Sequence, residues 1–113
     1  MFKTTQNNLL ILLAGLGCLL MLSSVNAIAD DKGKATYDKS CAMCHKGGMM
    51  GAHKFGDKAD WGGRLAQGKD VLYKHAIEGF KGKKGAMPPK GGNTKLSDQD
   101  VKAAVDYLLA TAK

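Results

Sequence analysis

Two kinds of hydrophobic pattern divide the chain. Residues 9–22 form an uninterrupted apolar run without a charge, whereas apolar positions after residue 30 recur at helical spacing among charged residues. The first pattern is typical of a segment that an export machinery recognises, and the second is typical of a helical globular domain. The sequence therefore predicts a leader over residues 1–29 and one all-α domain over residues 30–113.

About four short helices are predicted in this domain. The first spans residues 31–44, where small, aromatic and cysteine side chains share one helical face. A second begins at Asp57, and a third spans residues 69–78. The last covers residues 97–110, opens with a capping sequence and carries an apolar stripe. The members of that stripe are Val101, Ala104, Val105, Leu108, Leu109 and Ala112.

Two segments between the helices are predicted to be irregular. Residues 46–56 are rich in glycine, and residues 80–93 combine glycines with two prolines, which interrupt helices and strands alike. No strand is predicted anywhere in the domain. We expect both segments to be loops that wrap around whatever the helices enclose.

The motif Cys41-Ala42-Met43-Cys44-His45 carries the clearest chemistry in the chain. A C-x-x-C-H sequence is typical of covalent attachment of a c-type haem. The two thiols add across the two vinyl groups of the porphyrin, and the histidine that follows them binds the iron. The motif therefore predicts one haem c, attached through Cys41 and Cys44, with His45 as an axial ligand.

Other uses of a cysteine pair fit the sequence less well. A redox dithiol of the thioredoxin kind belongs in a βαβ setting, which the pattern of this chain lacks. A structural zinc site needs two paired clusters of Cys or His, and the only other cysteine is Cys18, inside the apolar run.

Residues 1–29 have the organisation of a secretory signal peptide. Lys3 precedes an apolar run that is too short to span a membrane comfortably, and Ala27-Ile28-Ala29 supplies a small-residue cleavage site. Cleavage after Val25-Asn26-Ala27 and retention of the leader as an anchor are the alternatives. Because bacteria attach haem c outside the cytoplasm, the motif and the leader together predict a periplasmic protein, in contact with a membrane only if the leader is retained.

The domain is short and basic. A domain of this length buries only a modest part of its unfolded surface, so we predict that the haem supplies the missing core and that the haem-free chain is largely unfolded. The formal charge of the whole chain is +7, and Lys3 is the only charged residue in the leader. Such a charge suits nucleic acid, an anionic membrane or an acidic protein. Because the lysines are scattered and no recognition motif accompanies them, we expect no nucleic acid but acidic docking surfaces on redox-protein partners, and a monomer.

Several further motifs occur in a characteristic order around the C-x-x-C-H sequence. They are Gly33-x-x-x-Tyr37 in the first helix, Gly85-Ala86-Met87-Pro88-Pro89-Lys90-Gly91-Gly92-Asn93 in the second loop, and Val105-Asp106-Tyr107-Leu108 in the last helix. Together they resemble class I cytochromes c, and most closely the small bacterial cytochrome c5 group. The resemblance covers the whole domain and implies a class I cytochrome c fold, in which short helices surround one covalently bound haem.

The resemblance implies roles for other residues as well. The first and last helices should cross where Gly33 lets the backbones approach, with Tyr37 packed against Tyr107. Trp61 and Arg64 should lie near the haem propionates, whereas without the resemblance they would be a core residue and a solvated charge.

The sequence departs from the c5 group at His53, where proline is usual. In the group, a backbone carbonyl near this position accepts the hydrogen bond of the iron-bound histidine. The departure leaves two possibilities: His45 is held less rigidly, or another carbonyl accepts its hydrogen bond.

Met87 is predicted to be the second axial ligand. It lies in a loop stiffened by Pro88 and Pro89, and both the resemblance and the Met/His pattern of electron-carrying cytochromes favour it. The weaker alternatives are Met49, Met50, His53 and His75.

Ligation by a histidine and a methionine predicts an electron carrier rather than an enzyme. Two protein ligands saturate the iron and leave no open site for oxygen or peroxide. The alternatives are a haem enzyme or ligand sensor in which Met87 is displaced, and a membrane-tethered subunit that serves one redox complex. Five lysines near the predicted loops would steer an acidic partner toward the haem: Lys54, Lys81, Lys83, Lys84 and Lys90.

Overall fold

The computed structural model describes residues 30–112, and helices dominate this part of the chain. The helices are α1 (30–40), α2 (Ala42–His45), α3 (Lys58–Leu65), α4 (Lys69–Glu78) and α5 (Asp98–Ala110). Two short 3₁₀ helices occupy Met49–Gly51 and Pro89–Gly92, and two-residue strands β1 (Phe80–Lys81) and β2 (Ala86–Met87) pair antiparallel. The all-α class is confirmed, and none of the helices between residues 30 and 112 has both the length and the hydrophobicity that a membrane crossing needs. The predicted leader lies outside the described residues.

The first predicted helix is divided into two by Cys41. The backbone of Cys41 (φ −119°, ψ −34°) departs from regular helical geometry, so α1 ends at residue 40 and α2 begins at Ala42. Hydrogen bonds nevertheless continue through the bend, from the Cys41 N–H to the Tyr37 carbonyl (2.9 Å) and from the His45 N–H to the Cys41 carbonyl (3.0 Å). The bend therefore changes the direction of the two thiols without releasing the segment that carries them.

The prediction that residues 80–93 hold no regular structure is wrong at two points, the 3₁₀ helix at Pro89–Gly92 and a short hairpin before it. Phe80 pairs with Met87 and Lys81 with Ala86, and the Gly82 N–H donates to the Gly85 carbonyl (2.9 Å), which closes a tight hairpin. Strands of two residues are too short to leave an alternating pattern in a sequence. This hairpin fixes the position of Met87 by backbone hydrogen bonds.

Helices α1 and α5 cross closely at Gly33. A Cβ atom placed on Gly33 would collide with the carbonyl oxygen of Ala103, so only glycine allows this approach. Next to the crossing, the rings of Tyr37 and Tyr107 pack with their centroids 5.5 Å apart. The contact that the resemblance implied is therefore present.

Replacement of Gly33 by alanine should destabilise the protein by about 1–3 kcal/mol, because the added methyl group forces two helix backbones apart. Gly62→Ala is the matched control, since Gly62 lies inside α3 with open space around its Cα. The control should stabilise the protein by up to about 1 kcal/mol, because alanine is the better helix former. Thermal unfolding of both variants tests this, and equal effects of the two substitutions would contradict the packing argument.

The core is small and lies mainly along α5. Its buried members include Tyr37 from α1, Trp61 from α3 and Leu72 from α4, and Leu109 is the most completely buried side chain among them. Five of the six residues predicted to form the apolar stripe of α5 are buried, and Val105 is partly buried. The helices do not cover the core completely, and one side of it forms the wall of a crevice.

Candidate cofactor crevice

A crevice with a volume of about 330 Å³ lies beside the core. All five helices and both loops contribute to its wall, and much of that wall is apolar, including Leu72, Ala76 and Leu108. An apolar crevice with a few polar groups is the usual form of a cofactor site. In a domain this small, a group bound in the crevice would form a substantial part of the hydrophobic core.

Both thiols and the imidazole of the C-x-x-C-H motif face this crevice. Cys41, Cys44 and His45 all line it, and neither cysteine forms a disulfide. Burial raises the pKa of the Cys41 thiol, and the neighbouring Cys44 adds to that effect. Burial also lowers the pKa of His45, so its imidazole favours the neutral form that binds a metal.

A backbone carbonyl fixes the orientation of His45. Its Nδ1 lies 2.8 Å from the carbonyl oxygen of His53, so the Nδ1–H donates to that oxygen and Nε2 is the nitrogen that could bind a metal. The possibility that a different carbonyl serves is therefore excluded, since His53 itself supplies the acceptor. The ring of Trp61 stacks near His45, with the centroids 6.1 Å apart and an angle of 28° between the planes.

Trp61 and Arg64 both line the crevice, as expected, but their N–H groups have partners that the sequence did not reveal. The indole N–H of Trp61 donates to the Lys54 carbonyl (2.8 Å) rather than remaining free for a propionate. Arg64 donates through Nε to His53 Nε2 (3.0 Å). Within residues 30–112, the two terminal nitrogens of Arg64 have no hydrogen-bond partner.

Met87 lies in β2, is partly buried and lines the crevice. The four alternative ligands, Met49, Met50, His53 and His75, line it as well. Both of these histidines already make other contacts. Both ring nitrogens of His53 have hydrogen-bond partners, and the ring of His75 stacks on Phe80 at a centroid distance of 4.0 Å.

The two predicted loops contact each other at the rim of the crevice. A Cβ atom on Gly51 would collide with the Lys84 carbonyl, and one on Gly85 would collide with the Met50 carbonyl. Both loops therefore need glycine where they meet. The contact joins the segment after the C-x-x-C-H motif to the hairpin that carries Met87.

Sequence reasoning missed two contributors to this region. Phe55 packs between Tyr37 and Tyr107, with centroid distances of 4.9 and 5.6 Å. Asp60 binds the side chain of His53. Phe55 lies in a glycine-rich loop and Asp60 reads as an ordinary first-turn acid, so no local pattern distinguishes either residue.

Known proteins with this arrangement are c-type cytochromes. The family model described as cytochrome C oxidase, cbb3-type, subunit III, matches residues 29–108. Cytochrome c-555 of Chlorobaculum tepidum is 57% identical over 95 residues, which cover 82% of this chain and 88% of that protein. Cytochrome c5 of Ectopseudomonas mendocina is 39% identical over 72 residues, which cover 62% of this chain and 78% of that protein.

A solved structure shows the same fold. A chain in the crystal structure of an electron transfer complex of nitrite reductase with cytochrome c superposes with a TM-score of 0.63 and is 41% identical in sequence. The match covers 73% of this chain and 95% of the other. The donor set of the crevice, two thiols and an imidazole among apolar walls, fits the haem that such proteins carry. The chain therefore belongs to the class I c-type cytochromes and is a small monohaem electron carrier with one covalently attached haem c.

Proposed function

We propose that this protein is an exported one-electron carrier whose haem iron is bound by His45 and Met87. The observation that carries the proposal is the convergence of Cys41, Cys44, His45 and Met87 on one apolar crevice. Haem bound there supplies one-electron chemistry, because its iron cycles between the ferric and ferrous states. Cys41 and Cys44 would hold the macrocycle, and His45 and Met87 would bind its iron and so keep small molecules from it. The proposed role is therefore electron transfer without catalysis.

Met87 is the best second ligand because its position is fixed and its sulfur is uncommitted. The hairpin holds its backbone, whereas His53 would have to give up hydrogen bonds on both ring nitrogens to bind iron. Met49 and Met50 are largely exposed and follow His45 too closely in sequence to reach the opposite face of a macrocycle easily. His75 would have to leave its stacked position on Phe80.

Arg64 is the proposed contact to a haem propionate. Its Nε is held by His53, which leaves the terminal nitrogens to pair with a carboxylate at the crevice. Trp61 does not contact a propionate in this proposal, because its indole N–H already donates to the Lys54 carbonyl. It contributes to the same region by packing. We assign Trp61 to the haem environment through its stack with His45.

The proposed site of action is the periplasm, and the proposed form is a monomer. The sequence of residues 1–29 supports export, and cofactor attachment outside the cytoplasm agrees with it. The related cytochrome c seen in complex with nitrite reductase supports larger redox proteins as the class of partner.

The proposed docking surface is basic and lies at one side of the crevice, whereas Lys54 and Lys81 do not line the crevice. Lys83 and Lys84 are exposed and line the crevice, and no described residue forms an ion pair with either of them. Lys90, which was expected to belong to this surface, is instead partly buried, and its Nζ contacts Asp98 (3.0 Å) and the Leu96 carbonyl (2.7 Å). The exposed lysines suit a partner with an acidic docking surface.

Charge reversal at Lys83 and Lys84 should slow electron exchange with an acidic redox partner by roughly tenfold or more at low ionic strength. The matched control is reversal at Lys58 and Lys74, which are exposed but do not line the crevice and which change the net charge equally. Stopped-flow rates measured across a salt series give the comparison. The wild-type rate should fall steeply as salt is added, because screening removes the attraction. Rates that are indifferent to salt, or equal losses in both double variants, would leave these lysines as a general solvated surface.

A further inference from the structure

His53, Asp60 and Arg64 form a hydrogen-bonded cluster beside the crevice, which we name the His53 clamp. His53 Nδ1 lies 3.2 Å from Asp60 Oδ1, and His53 Nε2 lies 3.0 Å from Arg64 Nε. Because the Arg64 Nε–H can only donate, Nε2 is the acceptor and the ring proton lies on Nδ1, where it donates to Asp60. Every polar atom of the His53 ring therefore has a partner, and the ring cannot rotate without breaking a hydrogen bond.

Further hydrogen bonds attach the His53 clamp to helix α3. The second carboxylate oxygen of Asp60 accepts the Lys54 N–H (2.8 Å), and this bond is the main reason that the pKa of Asp60 is lowered. The Asp60 N–H in turn donates to Asp57, which caps α3 (3.0 Å). The Trp61 indole holds the Lys54 carbonyl. The chain at residues 53–54 is thus tied to α3 through four side-chain hydrogen bonds.

The carbonyl of this same His53 accepts the Nδ1–H of His45 at 2.8 Å. We propose that the His53 clamp is the positioning device for the haem ligand: α3, acting through Asp60 and Arg64, fixes the carbonyl that orients the His45 imidazole. This proposal rests on the coordination of iron by His45 proposed above. His53 and Asp60 touch neither iron nor substrate, so both are positioning residues.

The clamp should affect the electronic properties of the ligand as well as its geometry. A short hydrogen bond from Nδ1–H places more electron density on Nε2, which favours ferric iron. If the carbonyl moves freely, that hydrogen bond weakens on average. The reduction potential should then rise, and the His45 Nδ1 proton should exchange with solvent more quickly.

The test uses the haem-loaded protein with His53→Ala and Asp60→Asn, both measured at the same pH as the wild-type protein. His53→Ala keeps the backbone carbonyl but removes the ring. Asp60→Asn keeps the shape of the side chain but cannot accept both hydrogen bonds. Asp70→Asn is the matched control, because Asp70 is likewise a first-turn acid of a helix but is exposed and does not line the crevice. The readouts are the reduction potential and the exchange rate of the His45 Nδ1 proton, followed by NMR of the ferrous protein.

We expect both clamp variants to raise the potential and to speed this exchange roughly five- to tenfold, as the loss of one ordinary hydrogen bond would do. The control should change neither quantity. His53→Pro should restore the wild-type values, because proline fixes the backbone without a clamp. Two features suit proline at this position: Ala52 is already extended (φ −64°, ψ 142°), and the His53 N–H donates to no residue within 30–112.

Wild-type potential and exchange rates in both His53→Ala and Asp60→Asn would overturn the proposal, and so would His53→Pro behaving like His53→Ala. A ferric wild-type protein with high-spin iron would contradict the proposed ligation by Met87, but not the clamp, which rests on His45 alone. A low-spin wild-type protein with unaffected variants would contradict the clamp alone. The two failures are therefore distinguishable by the spectrum.

Discussion

Protein in which Cys41 and Cys44 are both replaced by alanine is expected to be colourless and to unfold without a cooperative thermal transition. The crevice they serve has a volume of about 330 Å³, and without haem its apolar wall, part of the core, is left facing water. The free energy of unfolding expected of a domain is only roughly 0.05–0.15 kcal/mol per residue, so the loss of the buried haem contacts removes a large part of it. Without its haem, the chain therefore has almost no stability left.

The control for this double variant is Met43→Ala. Met43 lies between the two cysteines and is 81% exposed, so its side chain contributes little to the core. This control should remain coloured and should unfold cooperatively. Circular dichroism during heating, together with the visible spectrum, distinguishes the two proteins. A sharp transition in the double variant would show that the chain folds without its cofactor.

Met87→Ala is expected to convert ferric low-spin haem to high-spin haem and to open the iron to ligands. The variant should bind carbon monoxide stoichiometrically when reduced, whereas the wild-type protein should bind almost none. Its reduction potential should also fall, because the thioether ligand raises the potential of a c-type haem.

The matched controls for this variant are Met49→Ala and Met50→Ala, which remove other methionines from the same crevice. Both should keep the low-spin spectrum. If one of them changed the spin state while Met87→Ala did not, the hairpin would not carry the ligand and the assignment of Met87 would be wrong.

Much of the fold was predictable because it depends on periodic burial. The stripe of α5 follows from its spacing, and the crossing at Gly33 followed from the resemblance to class I cytochromes c. The bend at Cys41 was missed because helical spacing continues through it, as do the hydrogen bonds. Periodicity tells which residues share a face, but it cannot register a local change in backbone angle.

The site was predictable only where a motif specifies it. The C-x-x-C-H sequence predicted that two thiols and an imidazole lie together, and all three line the crevice. The environment of His45 was not predictable, since Asp60 and Arg64 reach His53 across a loop and leave no pattern in the sequence. The pairing of charges was not predictable either. The sequence shows that residue 90 is a lysine, but only the structure shows that Lys90 forms an ion pair with Asp98.

The visible spectrum of the purified native protein, recorded in both oxidation states, tests the central claim most directly. Iron held by His45 and Met87 within a covalently attached haem predicts the bands of a low-spin haem c in the reduced-minus-oxidised spectrum. It also predicts the weak far-red sulfur–iron band in the ferric form. A high-spin ferric spectrum, or the absence of any haem band, would contradict the account.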